Sequence, residues 1–249
     1  MEMVSRRKKF MTQLNTQFAN DFSKFTGMIK RGENFAFARY ADGERLILNC
    51  QRIGAGTQAF DVDKWSFNNN FEFSKHLLST CSHREENYYY AISCKCCDPA
   101  GELFYRGLLD NHNITFSNLF INANYSKFIE FVSSMDNEVV VIANKNCFRA
   151  HYPFKVIELM AIENDCINWY EKQKQQIDDS LFRLSQLSGK VFFISAGPLS
   201  EIIIHRLYSS NPNNTYIDVG SSLDIFTHNV VTRPYQNLSS EYNKKECVF

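Results

Sequence analysis

Apolar residues along the chain occur either at helical spacing or in short continuous runs. Phe18, Phe22 and Phe25 recur at intervals that place them on one face of a helix, and Arg31-Gly32 suits the end of that helix. Short β-branched or aromatic runs predict buried strands at 34–40, 88–93, 139–143, 191–195 and 216–219. Further helical patterns lie between these runs, at 126–135, 167–187 and 202–207.

This order of elements predicts the fold class. Strands that are almost continuously apolar need cover on both faces of their sheet, and connections long enough to hold a helix favour parallel pairing. We therefore expect an α/β fold with a doubly wound, mostly parallel sheet and helices on both faces. No repeat and no Gly/Ser-rich linker divides the chain, so we expect one domain over 1–249, with about 1–15 and 236–249 at its periphery.

Composition and charge argue against several classes of protein. The chain has 249 residues, of which 44% are hydrophobic, so it can bury a substantial core. Lys and Arg together number 27, as do Asp and Glu, whereas a protein that binds nucleic acid usually has a basic excess. The longest apolar runs are far shorter than the roughly 18–20 residues that cross a bilayer, so no transmembrane segment is predicted.

The basic N-terminus leaves two interpretations open. Residues 6–9 are Arg-Arg-Lys-Lys, but no continuous apolar segment follows them, which argues against a secretion signal and favours a cytoplasmic protein. These cations fit the solvated start of a helix, which we prefer, or a weak peripheral contact with an anionic membrane surface. The balanced charge is compatible with a homodimer without favouring one.

The eight cysteines favour reduced thiols over a disulfide framework, because no secretion signal accompanies them. Cys94, Cys96 and Cys97 form the one cluster that suggests a metal. Structural zinc usually takes two pairs of ligands at short spacing, and the other cysteines form no second C-x-x-C pair. The sequence therefore favours free thiols here over a zinc site.

The first segment that could carry chemistry follows the strand at 34–40. In an open parallel sheet, ligands bind beyond the carboxyl ends of the strands, and Ala41-Asp42-Gly43-Glu44 lies at such an end. The carboxylates of Asp42 and Glu44 could hold one divalent cation, and Arg39 could bind a phosphate. Taken alone, the segment is better explained as a helix start, with Asp42 as the cap and Glu44 near the positive end of the helix dipole.

Two later strands also end in small polar residues. Ser195-Ala196-Gly197-Pro198 opens a helix, whose free amides and dipole favour an anion such as phosphate, although a tight strand-to-helix connection explains the segment as well. Asp218 lies inside an apolar strand and is followed by Gly220, Ser221 and Asp224. A buried carboxylate needs a partner, so Asp218 either serves the site or binds backbone amides of a neighbouring loop.

In order and approximate separation, four segments resemble the family of glycosyltransferases with the GT-D fold, once catalogued as a domain of unknown function. They are R-Y-A-D-G-E at 39–44, the glycine turn at 54–58, I-S-A-G-P at 194–198 and I-D-V-G-S-S-L-D at 217–224. The resemblance covers roughly 34–235, most of the chain. One position departs from the family pattern: Ala41 replaces the usual glycine before the acidic pair, and a positive φ there would strain the turn.

The resemblance implies a Rossmann-like fold of the GT-D type and a transferase that moves a sugar from a nucleotide donor, typically a UDP-sugar, to a glycan or lipid-linked glycan in the synthesis of surface polysaccharide or glycoprotein glycans. It implies that Asp42 and Glu44 bind a divalent cation, usually Mn²⁺ with Mg²⁺ as the alternative. Such a cation stabilises the negative charge that develops on the leaving phosphate. The residues implied to line the donor pocket are Arg39, Ser195, Gly197, Pro198, Asp218, Gly220 and Ser221.

The remaining candidates depend on position alone. Asp224, Glu44 and His228 could activate the acceptor hydroxyl. Weaker candidates for contacting the acceptor or a phosphate are Lys145 and His151, which are better explained as solvated loop residues. Arg233 and Tyr235 could also contact a sugar or phosphate, and could equally fix the C-terminal segment at the surface. Two other functions stay open: a catalytically silent Rossmann-like module that binds a nucleotide or a partner, and another α/β enzyme such as a methyltransferase. The lack of a G-x-G loop after the first strand counts against the methyltransferase.

Overall fold

The computed structural model describes residues 17–49, 71–110 and 112–249. Within these ranges the chain forms a seven-stranded sheet in which every pair of neighbouring strands is parallel. The order of strands across the sheet is β3-β2-β1-β7-β6-β4-β5. The strands are β1 (Ala36–Tyr40), β2 (Tyr88–Ile92), β3 (Ile114–Phe116), β4 (Val139–Asn144), β5 (Val156–Ile162), β6 (Val191–Ser195) and β7 (Thr215–Asp218).

Helices cover both faces of this sheet, which confirms the predicted Rossmann-like α/β class. They are α1 (residues 17–30), α2 (Asp42–Leu48), α3 (Phe71–Ser79), α4 (Pro99–Leu109), α5 (Tyr125–Ser133), α6 (Cys166–Lys172), α7 (Lys174–Ser185), α8 (Ser200–Ser210) and α9 (Asp224–Thr227). No helix in the described ranges is long and apolar enough to cross a bilayer. The basic residues at 6–9 and the predicted glycine turn at 54–58 lie outside the described residues.

The two faces of the sheet each carry a hydrophobic core, because successive strand residues point to opposite sides. Phe35 and Phe37 face α1 and α5, whereas Ala36, Ala38 and Tyr40 face the core that includes α2, α3, α4, α6, α7 and α8. Each large apolar side chain buried in this way contributes about 1.5–3 kcal/mol. The near-continuous apolar runs of the strands follow directly from this two-sided burial.

The structure differs from the sequence-based expectations in three elements. β3 and β5 were not predicted, and both lie at edges of the sheet; β3 has only three residues, and most residues of β5 are half-buried. The helix predicted over 167–187 is two helices, α6 and α7, which meet at Gln173 with φ −119° and ψ 29°. The residues around Gln173 are polar and fit either one continuous helix or two, so packing decides where the helix is interrupted.

The strand order creates a crevice at the carboxyl end of β1. The chain leaves β1 towards β2 on one side, and β7 pairs with β1 on the other side. In open α/β sheets such a switch point separates the connections that follow the two neighbouring strands and leaves room for a ligand. The segments that follow β1 and β7 therefore border the candidate site.

Candidate active site

A cleft of about 890 Å³ opens at the carboxyl edge of the sheet. Pockets of a few hundred to a thousand cubic ångströms are typical of small-molecule sites. Residues that follow several different strands line the cleft, and most of the sequence-predicted site residues are among them. These are Arg39, Asp42, Glu44, Ser195, Gly197, Asp218, Gly220, Ser221, Asp224, His228, Arg233 and Tyr235.

Three predicted site residues do not line the cleft. Pro198 is buried in the turn that leads into α8. Lys145 is exposed and forms an ion pair with Glu163, with 2.8 Å between Nζ and Oε2. His151 is exposed on the loop before β5. The geometry therefore supports no ligand contact for these three side chains in the cleft.

The turn from β1 into α2 accommodates alanine without strain. Ala41 has φ −124° and ψ −154°, which is extended backbone, so the absence of the family's glycine has no conformational cost here. Its carbonyl accepts a hydrogen bond from the Tyr105 hydroxyl at 2.5 Å. Ala41 is the N-cap residue, and Asp42 is the first residue of the helix. The expectation that Asp42 caps the helix is therefore wrong.

The two carboxylates of α2 occupy different environments. Asp42 is exposed at the cleft, whereas Glu44 is buried with 7% of its surface accessible. Glu44 Oε2 accepts a hydrogen bond from the Ala41 N–H at 2.8 Å. Burial raises the pKa of Glu44 to about 7, although the Arg39 charge and the Ala41 N–H act to lower it. Glu44 therefore changes charge near neutral pH.

Arg39 lies in β1, and its side chain reaches the loop after β3 and the end of β7. Its Nε donates to the Ser117 carbonyl at 2.9 Å, and its Nη1 lies 4.0 Å from Asp218 Oδ2. Burial acts to lower the pKa of Arg39, but the charges of Asp218 and Glu44 raise it overall, so the guanidinium stays charged. Several donors of this guanidinium remain available to the cleft, where a planar cation suits a phosphate.

Gly220 lies directly against Arg39. Its φ is +50°, and a Cβ at this position would lie 2.4 Å from Arg39 Nη1. Both the backbone conformation and the close approach of the guanidinium therefore favour glycine. The I-D-V-G segment thus has a steric reason for its glycine, which is to leave space for the arginine.

The sequence left two roles open for Asp218, in the site or as a partner of backbone amides, and the structure shows it in contact with both a site residue and a backbone amide. Its Oδ1 accepts a hydrogen bond from the Gly220 N–H at 2.7 Å, and its Oδ2 faces Arg39. Burial raises the pKa of Asp218, and the Arg39 charge and the Gly220 N–H act to lower it. Asp218 therefore fixes both the loop after β7 and the position of the arginine.

Glu201 is a buried carboxyl group that the sequence did not single out. It lies in the first turn of α8 with no exposed surface, and no hydrogen-bond donor of the described residues reaches its oxygens. Burial, followed by the charges of Glu44 and Asp218, raises the pKa of Glu201 well above its usual value. The Asp218 charge thus acts to raise the pKa of Glu201, whereas the Arg39 charge acts to lower the pKa of Asp218.

The turn at the end of β6 is only partly available to an anion. Gly197 is exposed with φ +57°, and Ser195 is half-buried at the strand end. The Ala196 N–H already donates to Ser200 Oγ at 3.0 Å. The turn therefore offers the cleft fewer free amides than the sequence suggested, and its tight connection is stabilised by Ser200.

A second polar network borders the cleft beyond β7. Thr232 Oγ1 donates to Asp224 Oδ2 at 2.7 Å, and His228 Nε2 lies 4.0 Å from Asp224 Oδ1. Tyr235 and Ser221 share a hydrogen bond of 2.5 Å between their hydroxyls. The segment at 232–235 is thereby held against the loop after β7, and Asp224 has a positioned carboxylate at the cleft.

Other cleft residues lie outside the predicted set. Ser117 and Asn118 follow β3, and Glu163 and Asn164 follow β5. The sequence analysis missed these residues because it missed the two edge strands. The signal that could have found them is the polar residue pair directly after each short apolar run.

The comparisons with known proteins match the fold of the chain. No protein-family model and no curated protein matches it. A structure described as the highly conserved domain of unknown function 1792, with a distinct glycosyltransferase fold, superposes with a TM-score of 0.53 at 11% identity, over 92% of this chain and 87% of that chain. A selenomethionine-substituted structure of the same domain gives a TM-score of 0.52 at 10% identity, also over 92% and 87%.

A third structure, described as a new glycosyltransferase (DUF1792) from Streptococcus sanguinis, gives a TM-score of 0.51 at 11% identity, over 95% of this chain and 92% of that chain. Likeness over nine tenths of the chain places this protein in the same structural class, an α/β fold of the glycosyltransferase type. At these identities the likeness concerns the fold, so function has to be argued from the site.

Proposed function

We propose that the protein is a metal-dependent glycosyltransferase. Its donor is a nucleotide sugar, in the first place a UDP-sugar, and its acceptor is a glycan or lipid-linked glycan. The observation that carries this proposal is the convergence of Arg39, Asp42 and Glu44 with the loop after β7 at one cleft, in a fold similar to structures described as glycosyltransferases. Transfer from a nucleoside diphosphate needs stabilisation of a leaving phosphate, and these are the groups suited to it.

In this proposal, Asp42 and Glu44 supply carboxylate ligands to a hard divalent cation such as Mn²⁺ or Mg²⁺. Carboxylate oxygens are preferred ligands of these ions, and Asp42 and Glu44 Oε1 are the oxygens not engaged by the Ala41 amide. Among the described residues, no third acidic, histidine or cysteine side chain completes a cluster with them. Such ions commonly take their remaining ligands from water and substrate phosphates. When bound, the cation would act as a Lewis acid on the diphosphate.

The other cleft residues have separate roles in this proposal. Arg39, fixed by Ser117 and Asp218, binds a phosphate oxygen through its guanidinium. Arg233 lines the same cleft and can approach the donor or the acceptor. Asp224, held by Thr232, is the candidate base for the acceptor hydroxyl, because its carboxylate is positioned and faces the cleft.

The test is calorimetric binding of a panel of nucleotide sugars, with Mn²⁺ and with EDTA, to the wild type and to Asp42→Asn. We expect one diphosphate donor to bind only with the cation, and Asp42→Asn to lose that binding without loss of folding, because Asp42 is exposed. The matched control is Asp136→Asn. Asp136 is also exposed but precedes β4, at the opposite edge of the sheet, so this variant should bind as the wild type does.

A second candidate function is a silent nucleotide-binding module. The hydrogen bond from the Ala41 N–H to Glu44 favours it, because this contact gives Glu44 a structural role at the helix start. Nucleotide binding that is equal with Mn²⁺ and with EDTA, and equal in Asp42→Asn, would support the module and contradict the transferase. Cation-dependent release of the free nucleotide from a donor sugar would support the transferase.

A further inference from the structure

Four cysteine side chains meet at one point beside the cleft. Cys94, Cys96 and Cys97 lie in the turn between β2 and α4, and Cys247 comes from the C-terminal segment. The four Sγ atoms all lie within 4.8 Å of one another. The sequence analysis grouped only the first three and favoured free thiols, because Cys247 is 150 positions away from Cys97 and forms no C-x-x-C pair.

The spacing of the sulfur atoms fits one tetrahedral metal ion. Zinc binds thiolates at about 2.3 Å, which places neighbouring sulfurs of a tetrahedron about 3.8 Å apart. Cys94 Sγ and Cys96 Sγ are 3.3 Å apart, and Cys96 Sγ and Cys97 Sγ are 3.8 Å apart. These separations are well beyond the 2.03–2.05 Å of a disulfide bond, and all four thiols are free.

Backbone hydrogen bonds fix the turn after β2, which carries three of the four cysteines. The Cys97 N–H and the Asp98 N–H both donate to the Cys94 carbonyl, at 3.0 and 2.9 Å. This turn directs the three nearby thiols to one side of the chain. Cys94 is fully buried, whereas Cys96 and Cys97 are exposed and Cys97 lines the cleft, so an ion can enter.

The C-terminal segment brings the fourth thiol and is anchored on both sides of it. The Ala123 N–H donates to the Lys245 carbonyl at 3.1 Å, and the ring of Phe249 stacks on Phe116 with 4.1 Å between centroids. Cys247 between them has no exposed surface. The residues expected at the periphery are therefore packed against the domain at this point.

Polar hydrogens around the sulfurs suit a cluster that carries negative charge. The Val248 N–H donates to Cys96 Sγ at 3.4 Å, and the Asn122 amide donates to Cys247 Sγ at 3.7 Å. The Lys245 ammonium lies near Cys97, at the same wall of the cleft, where its positive charge can stabilise a thiolate. Such outer contacts orient thiolate ligands and offset their charge in structural metal sites.

We propose that Cys94, Cys96, Cys97 and Cys247 bind one Zn²⁺ ion as a closed, structural site. Four thiolates fill the tetrahedral coordination of zinc and leave no position for substrate. The ion ties the C-terminal segment to the turn after β2. Because Cys97, Tyr242 and Lys245 line the cleft, zinc fixes one wall of it. This site is separate from the proposed cation site at Asp42 and Glu44 and does not depend on the proposed activity.

The experiment measures zinc in the full-length chain, expressed with zinc available and purified under reducing conditions without chelator. We expect about one zinc ion per chain by mass spectrometry of the metal content. Replacing zinc with Co²⁺ should give the visible bands of tetrahedral cobalt together with thiolate charge-transfer bands. Cys247→Ser should lose the ion, whereas Cys147→Ser, which changes a buried thiol outside the cluster, should keep it.

Limited proteolysis reports the structural consequence. Chelation of the wild type, or Cys247→Ser, should release the C-terminal segment and make it sensitive to protease, while Cys147→Ser stays resistant. The proposal is overturned if the reduced wild type carries far less than one zinc and binds Co²⁺ without thiolate bands, or if mass spectrometry finds the four cysteines paired as disulfides. The wild-type measurements decide the question even where a variant does not fold.

Discussion

The buried carboxyl group of Glu201 makes the stability of this protein dependent on pH. Its pKa in the folded state is well above the usual value because of burial and the nearby charges of Glu44 and Asp218. A carboxyl whose pKa is raised by folding contributes its full stability below the unfolded pKa, and loses it as pH rises. Glu201→Gln removes this titration and keeps a side chain of nearly the same size and shape.

The expected size follows from proton linkage. Each pH unit over which Glu201 is protonated in the folded state and ionised in the unfolded state lowers the free energy of unfolding by about 1.4 kcal/mol. Over that pH range the stability of Glu201→Gln relative to the wild type should therefore rise with pH, by up to about 1.4 kcal/mol per pH unit. Urea denaturation at pH 5, 6 and 7, with unchanged m-values, measures this difference.

The exposed residue Glu130 provides the control, because Glu130→Gln should stay within about 0.5 kcal/mol of the wild type at each pH. A stability difference between Glu201→Gln and the wild type that does not change with pH would refute the reasoning. So would a stability difference that falls from pH 5 to pH 7, because it would mean that the charged form of Glu201 is stabilised in the fold.

Two further changes test the loops around the cleft. Gly220→Ala should lower the free energy of unfolding, measured by urea denaturation, by about 1–2 kcal/mol, because it strains a positive φ. It should also weaken nucleotide-sugar binding, because the new Cβ displaces Arg39. The control Gly107→Ala, in an open helical position, should raise the free energy of unfolding by about 0.5–1 kcal/mol in the same assay. Asn214→Ala should cost about 2–3 kcal/mol by urea denaturation, since its buried amide makes three hydrogen bonds, whereas Asn213→Ala at an exposed neighbour should change little. Equal effects within either pair would contradict the structural explanation.

The sequence predicted the central strands well because these strands are buried on both faces. β6 lies at 191–195 as expected, and β1, β2, β4 and β7 differ from their predicted bounds by a residue or two. Their apolar runs are a direct consequence of the burial that the sheet imposes. β3 and β5 lie at the edges of the sheet, and their apolar runs, one short and the other interrupted by Glu158, were not separated from loops.

The site residues likewise divide into those that the sequence reveals and those that only the structure reveals. Arg39, Asp42, Glu44 and Asp218 could be found from the sequence, because each lies at the end of a recognisable strand. Glu201 could not, since an acid in the first turn of a helix is ordinarily exposed and favourable there. Only the tertiary structure buries it beside Asp218 and thereby changes its protonation.

The sequence by itself determined the α/β class, the central strands and the short segments that carry acids, glycine and arginine at strand ends. These are local properties, because periodicity and turn residues act over a few positions. The tertiary structure decided what depends on distant residues: the strand order that brings β7 beside β1, the glycine that makes space for Arg39, and the meeting of Cys247 with the turn after β2. Contacts between residues far apart in sequence leave no spacing pattern in a single chain, so only the folded structure reveals them.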